Sequence, residues 1–159
     1  MQTFRTPLQV LVFDPVPASI RCIAQTGCQI HLIIPADPNS TLPSASFWLP
    51  ADAVQKIGER EVVRGIRAGD YDVLLCWTLE QVQIAADWNL PKLFAPQGML
   101  STLVGVSGMA RRHAMGQLQA LLAGVGVVYL SDKQRKNWLL AGDVVPWGID
   151  TNEFMSYDG

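Results

Sequence analysis

Short apolar runs alternate with segments of helical spacing along the whole chain, and turn residues separate them. Residues 8–13 form the first run, stopped by Asp14-Pro15-Val16-Pro17. A short helix is predicted over residues 18–25, with Gly27 marking its end. Residues 30–34 are the second apolar run, closed by Pro35. Residues 36–50 are rich in Pro, Ser and Asn and predict a loop that carries Phe47 and Trp48. Three helix starts then use one device. Asp52 with Gln55, Thr78 with Gln81, and Ser131 with Gln134 each place a small polar cap three residues before a glutamine. At that spacing each side chain meets a backbone N–H of the other residue.

The first of these helices is predicted from Asp52 to about Ala68, with Val54, Ile57, Val62 and Ile66 inward and Gly69 as a left-handed stop. Residues 72–77 predict a third strand, residues 79–88 a helix, and residues 92–95 a fourth strand broken by Pro96-Gln97-Gly98. Residues 99–108 fit neither period. Ala110, Ala114, Leu118, Leu121 and Leu122 stripe a helix over residues 109–123, stopped by Gly124. A fifth strand at residues 125–130, a helix at 132–141 and a last short strand at Val144-Val145 complete the chain.

Strand and helix therefore alternate from end to end, which predicts a three-layer α/β architecture. Its core is a doubly wound (Rossmann-like), mostly parallel sheet in a single domain. Ligands of such sheets sit at the carboxyl ends of the strands, near the switch in strand order. That rule places a site on four loops: residues 14–19, Trp77-Thr78, residues 96–99 and residues 131–133.

Composition narrows the chemistry. Hydrophobic residues make up 49% and charged residues 16%, as suits a sheet buried on both faces. A formal charge of -2 provides no basic stripe to neutralise phosphates, so nucleic acid is not an expected partner. Cys22, Cys28 and Cys76 show no CxxC spacing, and the two histidines, His31 and His113, lie far apart in sequence. No metal site is expected; reduced thiols in a cytoplasmic protein are. The first residues lack the apolar segment of a secretory signal, and no run is long enough to span a bilayer. No glycine-rich turn follows the first strand, so no dinucleotide cofactor is expected. Nor is there a phosphate-binding GxxxxGK[ST] or a GxSxG nucleophile turn. A receiver-type phosphorylation site fails as well, because the third strand ends in Cys76-Trp77-Thr78 rather than an aspartate.

The most informative stretch closes the chain. After Val127-Val128-Tyr129-Leu130-Ser131 and a short helix comes Asp143-Val144-Val145-Pro146-Trp147-Gly148-Ile149-Asp150-Thr151-Asn152-Glu153-Phe154. It resembles the end of the N-terminal domain in retaining glycosyltransferases of GT-B fold, notably glycosyltransferase family 4. There a strand ending in Ser, a helix and a V-I-P-N-G-V-D-x-x-x-F linker recur. Val145, Pro146, Gly148, Ile149, Asp150 and Phe154 match, and Trp147 stands in place of the usual Asn. Upstream, Asp70-Tyr71-Asp72-Val73-Leu74-Leu75-Cys76-Trp77 is similar to that family's yDviHaH strand. Residues 90–100 look like its P-x-x-x-s-P-r-G-M-L loop.

That resemblance implies an acceptor-side domain over residues 1–144 and the start of an interdomain linker over residues 145–159, including Pro146, Trp147, Gly148 and Asp150. It implies transfer of a sugar from a nucleotide-sugar donor to a hydroxyl acceptor, with no metal or cofactor required. Asp14, Trp77, Thr78, Gln97, Gly98 and Met99 are the candidate acceptor-binding residues, and no catalytic residue is assigned. Gln97 stands where relatives carry a basic residue or histidine, and the first loop lacks their paired glycines. The family's second lobe, with its E-x7-E element, supplies most of the nucleotide-sugar site. Transfer is therefore expected only with a second GT-B domain, on a longer chain or a partner chain. The alternative is a non-catalytic binding or assembly domain of the same ancestry, which would expose a face suited to homodimerisation. Individual residues have plainer roles to weigh as well. Ser131 and Thr78 serve as helix caps, and Trp147 packs on the domain it precedes.

Overall fold

The computed structural model describes residues 7–13, 23, 26–34, 54–98, 100 and 108–145. Within them the apolar runs become strands β1 (Gln9–Phe13), β2 (Gln29–Ile34), β3 (Val54–Gly58), β4 (Val73–Cys76), β5 (Lys92–Phe94), β6 (Gly126–Tyr129) and β7 (Asp143–Val144). The helices are α1 (Glu59–Ala68), α2 (Leu79–Ile84), α3 (Gly108–Leu121) and α4 (Asp132–Trp138). The sheet runs β3-β2-β1-β4-β5-β6-β7, and every pairing in it is parallel. This is the doubly wound, Rossmann-like architecture that the alternating pattern predicts. Its parallel sheet with flanking helices is consistent with one lobe of a GT-B fold.

One segment departs from the sequence expectation. The helix expected to start at Asp52 does not: residues 54–58 are instead an edge strand, β3, laddered to β2 from Ile30↔Val54 to Ile34↔Gly58. Helix α1 begins only at Glu59. Gly58, in extended backbone, is its N-cap, and the Glu61 carboxylate accepts the Gly58 N–H at 3.0 Å. Val54 and Ile57 fit helical spacing, but over so few residues the period cannot separate helix from strand. Gly58 was the opposing signal, since a glycine inside a helix costs about 1 kcal/mol relative to alanine. Asp52 itself lies outside the described residues. The chain thus has seven described strands where six were expected.

Other boundaries shift less. Helix α2 stops at Ile84, short of Trp88, and β7 begins one residue early, at Asp143. Gly69 and Gly124 take the positive φ expected of stops. Gly27 has a positive φ as well, but the helix expected over residues 18–25 lies outside the described residues except at Ile23, as does the loop expected over residues 36–50.

Alternate residues on each strand build two apolar layers. Leu11, Ile33, Ile57, Leu74, Cys76, Phe94, Val127 and Tyr129 face one side, where Val62 of α1, Val82 of α2, Leu118 of α3 and Trp138 of α4 cover them. Val10, Val12, Ile30, Leu32, Leu75, Trp77 and Ala95 face the other side, packed by Ile23 from the β1–β2 connection. All four described helices thus lie against one face of the sheet, and Ile23 of the β1–β2 connection packs on the other. The sheet order changes direction between β1 and β4. No helix among the described residues is long and apolar enough to cross a membrane.

Candidate functional site

Because every strand runs the same way, the loops after β4, β5 and β6 open on one edge of the sheet. Register fixes how they line up. Cys76, the last residue of β4, pairs with Phe94, the last of β5, and Ala95 then donates its N–H to the Cys76 carbonyl at 2.8 Å. Thr78 and the Gln97, Gly98 pair are therefore tips of adjacent strands.

The β4 tip is held by its own helix. Gln81 donates its backbone N–H to Thr78 Oγ1 at 3.2 Å, and its side-chain Oε1 accepts from Thr78 N at 3.3 Å and from Trp77 N at 2.7 Å. The capping box expected here is present, and its glutamine reaches one residue further back than required. The Trp77 indole is buried in the smaller apolar layer, beside Val10, Val12 and Leu75, while Thr78 is exposed. Of this pair, the threonine faces solvent.

The β6 tip repeats the device with a difference. Gln134 N donates to Ser131 Oγ at 3.2 Å, as the cap predicts. The Gln134 Oε1, however, accepts from Leu130 N at 2.8 Å, not from Ser131. Its amide nitrogen turns away from the helix and donates to the carbonyls of Pro96 at 2.6 Å and Gly98 at 3.2 Å. Trp138, one helical turn on, donates its Nε1–H to the same Gly98 carbonyl at 2.9 Å. Gln134 is only 5% exposed. Burial of an amide is tolerated here because both of its ends are hydrogen-bonded.

The β5 loop is thus clamped from α4. Pro96 is fully buried, whereas Gln97 and Gly98 are exposed at its tip. Sequence reasoning named the loop and missed the clamp. It recognised Gln134 only as a cap partner, and the one signal available was a glutamine, four residues before a tryptophan, after the β6 strand. Asp14 and Met99, and the linker residues Pro146, Trp147, Gly148 and Asp150, lie outside the described residues.

Electrostatically the β4 and β5 tips are quiet, and the exposed charges Asp132 and Lys133 lie at the β6 tip. Trp77, Thr78, Gln97 and Gly98 carry no ionisable side chain. The Asp132–Arg135 ion pair, at 2.7 Å, is exposed on α4, where such pairs contribute little. The Cys76 thiol, buried beneath the β4 tip, has its pKa pushed up to about 12 by desolvation, with Lys92 pulling the other way. It is a packed apolar group, not a nucleophile. No cluster of three or more His, Cys, Asp or Glu residues able to hold a metal ion occurs among the described residues. What the β4 and β5 tips offer is a pre-set, uncharged hydrogen-bonding edge suited to binding and orienting a polar ligand. The chain matches no model of a known protein family and none of the curated proteins compared with it.

Proposed function

We propose that this chain is the acceptor-side lobe of a two-lobed glycosyltransferase, binding a hydroxyl compound at the tips of β4 and β5. The observation that carries the proposal is the in-register pairing of Cys76 with Phe94, which sets Thr78 beside Gln97 and Gly98 on the carboxyl edge. The parallel sheet order and the linker-like sequence after β7 agree with it. On this reading residues 1–144 form the lobe and residues 145–159 begin the connection to a second lobe that binds the nucleotide-sugar. Residues such as Thr78 and Gln97 hold and orient the acceptor by hydrogen bonds, because they have no proton to exchange near neutral pH. Acid–base or phosphate-stabilising groups then come from Asp14 or from the second lobe.

The lack of ionisable side chains at Trp77, Thr78, Gln97 and Gly98 favours a second reading on equal structural terms: a binding or assembly domain of the same ancestry, without chemistry of its own. One experiment tests the acceptor site, and its companion separates the two readings. Two-dimensional amide spectra of the labelled chain, titrated with methyl glucoside as a hydroxyl-rich probe, are expected to move Thr78, Gln97 and Gly98. Shifts confined to the amino-terminal edge of the sheet, or no shifts at all, sink the acceptor site. Mixing the chain with a donor lobe and UDP-glucose then distinguishes enzyme from binding domain by release of UDP.

A further inference from the structure

We propose that Gln134 and Trp138 are positioning residues for the β5 loop, and that they set the peptide joining Pro96 to Gln97 so that the Gln97 N–H is presented outward to an oxygen of the bound ligand. The proposal rests on the acceptor site described above. A trans peptide is planar, and its C=O and N–H point in opposite directions. The Pro96 carbonyl is drawn inward by Gln134 Nε2 at 2.6 Å. The N–H on the far side of that peptide belongs to Gln97, and it is turned away from α4. Gln97 is exposed, and its N–H has no hydrogen-bond partner among the described residues.

Three further contacts hold the setting. The second Gln134 amide hydrogen and the Trp138 indole N–H both end on the Gly98 carbonyl, at 3.2 and 2.9 Å. The Gln134 Oε1 is anchored to Leu130 N at 2.8 Å, so the amide cannot flip without losing a bond at each end. The Trp138 indole is itself fixed edge-on to Phe94, with ring centroids 5.4 Å apart and planes at 72°. Both donors are buried and rigid, and the loop they hold is the exposed tip of a strand. A donor oriented before the ligand arrives costs no ordering when it binds. The amide is needed as an amide: a carboxylate of the same shape keeps the acceptor for Leu130 N but faces two carbonyl oxygens with negative charge.

The test uses the full chain and the Gln134→Glu variant, with amide spectra from pH 8 down to pH 5 and wild type recorded at each pH. At pH 8 the Gln97 and Gly98 amides of the variant are expected to be displaced, while the amides of β1 and β2 keep their positions and report an intact fold. As pH falls the introduced carboxyl, whose pKa burial raises, takes a proton and regains a donor, so the two resonances return toward wild type. A contribution of Gln134 through packing alone would not produce that pH-dependent return, and the probe affinity separates presentation to a ligand from loop geometry alone. The Gln134→Met variant has similar length and no donor. It is expected to show the displacement at every pH, and it carries the test should the charged variant not fold. Methyl glucoside is expected to bind about tenfold more weakly to both variants at pH 8, the scale of one lost hydrogen bond.

A Gln97 amide unchanged in Gln134→Glu and Gln134→Met across the pH range overturns the positioning role. So does undiminished probe affinity in those variants. Absence of any probe response in wild type, with the pH-dependent return still present, instead removes the acceptor site and leaves the loop setting as a structural fact without that ligand.

Discussion

The indole N–H of Trp138 ends on the carbonyl of Gly98 at 2.9 Å, across 40 residues of chain, and the same ring lies edge-on to Phe94. One side chain therefore ties α4 both to the end of β5 and to the loop that follows it. Trp138→Phe keeps most of the ring's apolar contact and deletes the donor. Gly98 O then retains only the longer bond from Gln134. A loss of about 1–2 kcal/mol in urea unfolding is expected. The amide exchange of Gly98 should accelerate more than that of β1. A variant as stable as wild type would show that the indole bond contributes nothing net.

Thr78 is the exposed N-cap of α2, and its Oγ1 accepts the Gln81 N–H at 3.2 Å. Thr78→Ala should cost about 1 kcal/mol, and Thr78→Ser should restore most of it, because the cap needs an oxygen and not the methyl group. Equilibrium denaturation of the pair decides this. If Thr78→Ser weakens probe binding while stability is restored, the methyl group also touches ligand.

Leu139 ends α4 with φ 58°, left-handed backbone that a side chain with a Cβ adopts at a cost, and it is 59% exposed. Little burial offsets that strain. Leu139→Gly is expected to stabilise the chain by about 0.5–1 kcal/mol, seen as a higher urea midpoint at an unchanged slope. A lower midpoint would mean that Leu139 contributes contacts worth more than the strain.

His31 shares a 2.7 Å hydrogen bond with Gln9 Oε1 and meets Tyr71 edge-on at 5.0 Å. Burial lowers its pKa below 6.5, and the pull of Asp70 in the other direction is weaker. The unfolded chain therefore binds this proton more readily than the folded one. The stability contribution is fully present above about pH 6.5 and is lost as pH falls from there through the folded value. Unfolding free energy should fall between pH 7 and pH 5, and His31→Gln should flatten that slope. A His31 titration midpoint above 6.5 by magnetic resonance would reverse the sign.

Cys76 is fully buried at the end of β4, with its thiol pKa pushed up to about 12 by desolvation. Iodoacetamide at pH 8 should leave it unmodified in the folded chain and label it at the rate of unfolding when urea is added. Rapid native labelling of Cys76, read by peptide mass, would contradict its place in the core.

The sheet was largely legible in the sequence, because Val10, Leu11 and Val12, or Leu74, Leu75 and Cys76, are short continuous apolar runs bounded by turn residues, as a doubly covered strand requires. Residues 54–58 were not legible. Val54 and Ile57 satisfy either period, and the choice was made by β2, whose free edge offered a ladder of backbone partners. At the site, the Thr78 cap was visible because both partners lie within one turn. The second use of Gln134 was invisible for the opposite reason: Pro96 lies 38 residues away, and nothing local distinguishes a glutamine that caps from one that also reaches across the sheet.

By itself, then, the sequence determined the alternation of elements, the glycine stops at Gly69 and Gly124, and the caps at Thr78 and Ser131. All of these depend on backbone sterics and hydrogen bonds between near neighbours. Only the tertiary structure decided that β3 closes one edge, that Trp77 is a core residue while Thr78 is exposed, and that Gln134 and Trp138 grip the Gly98 loop. Those outcomes depend on which strands lie side by side. That order is set by burying two apolar layers at once, and no short window of residues contains it.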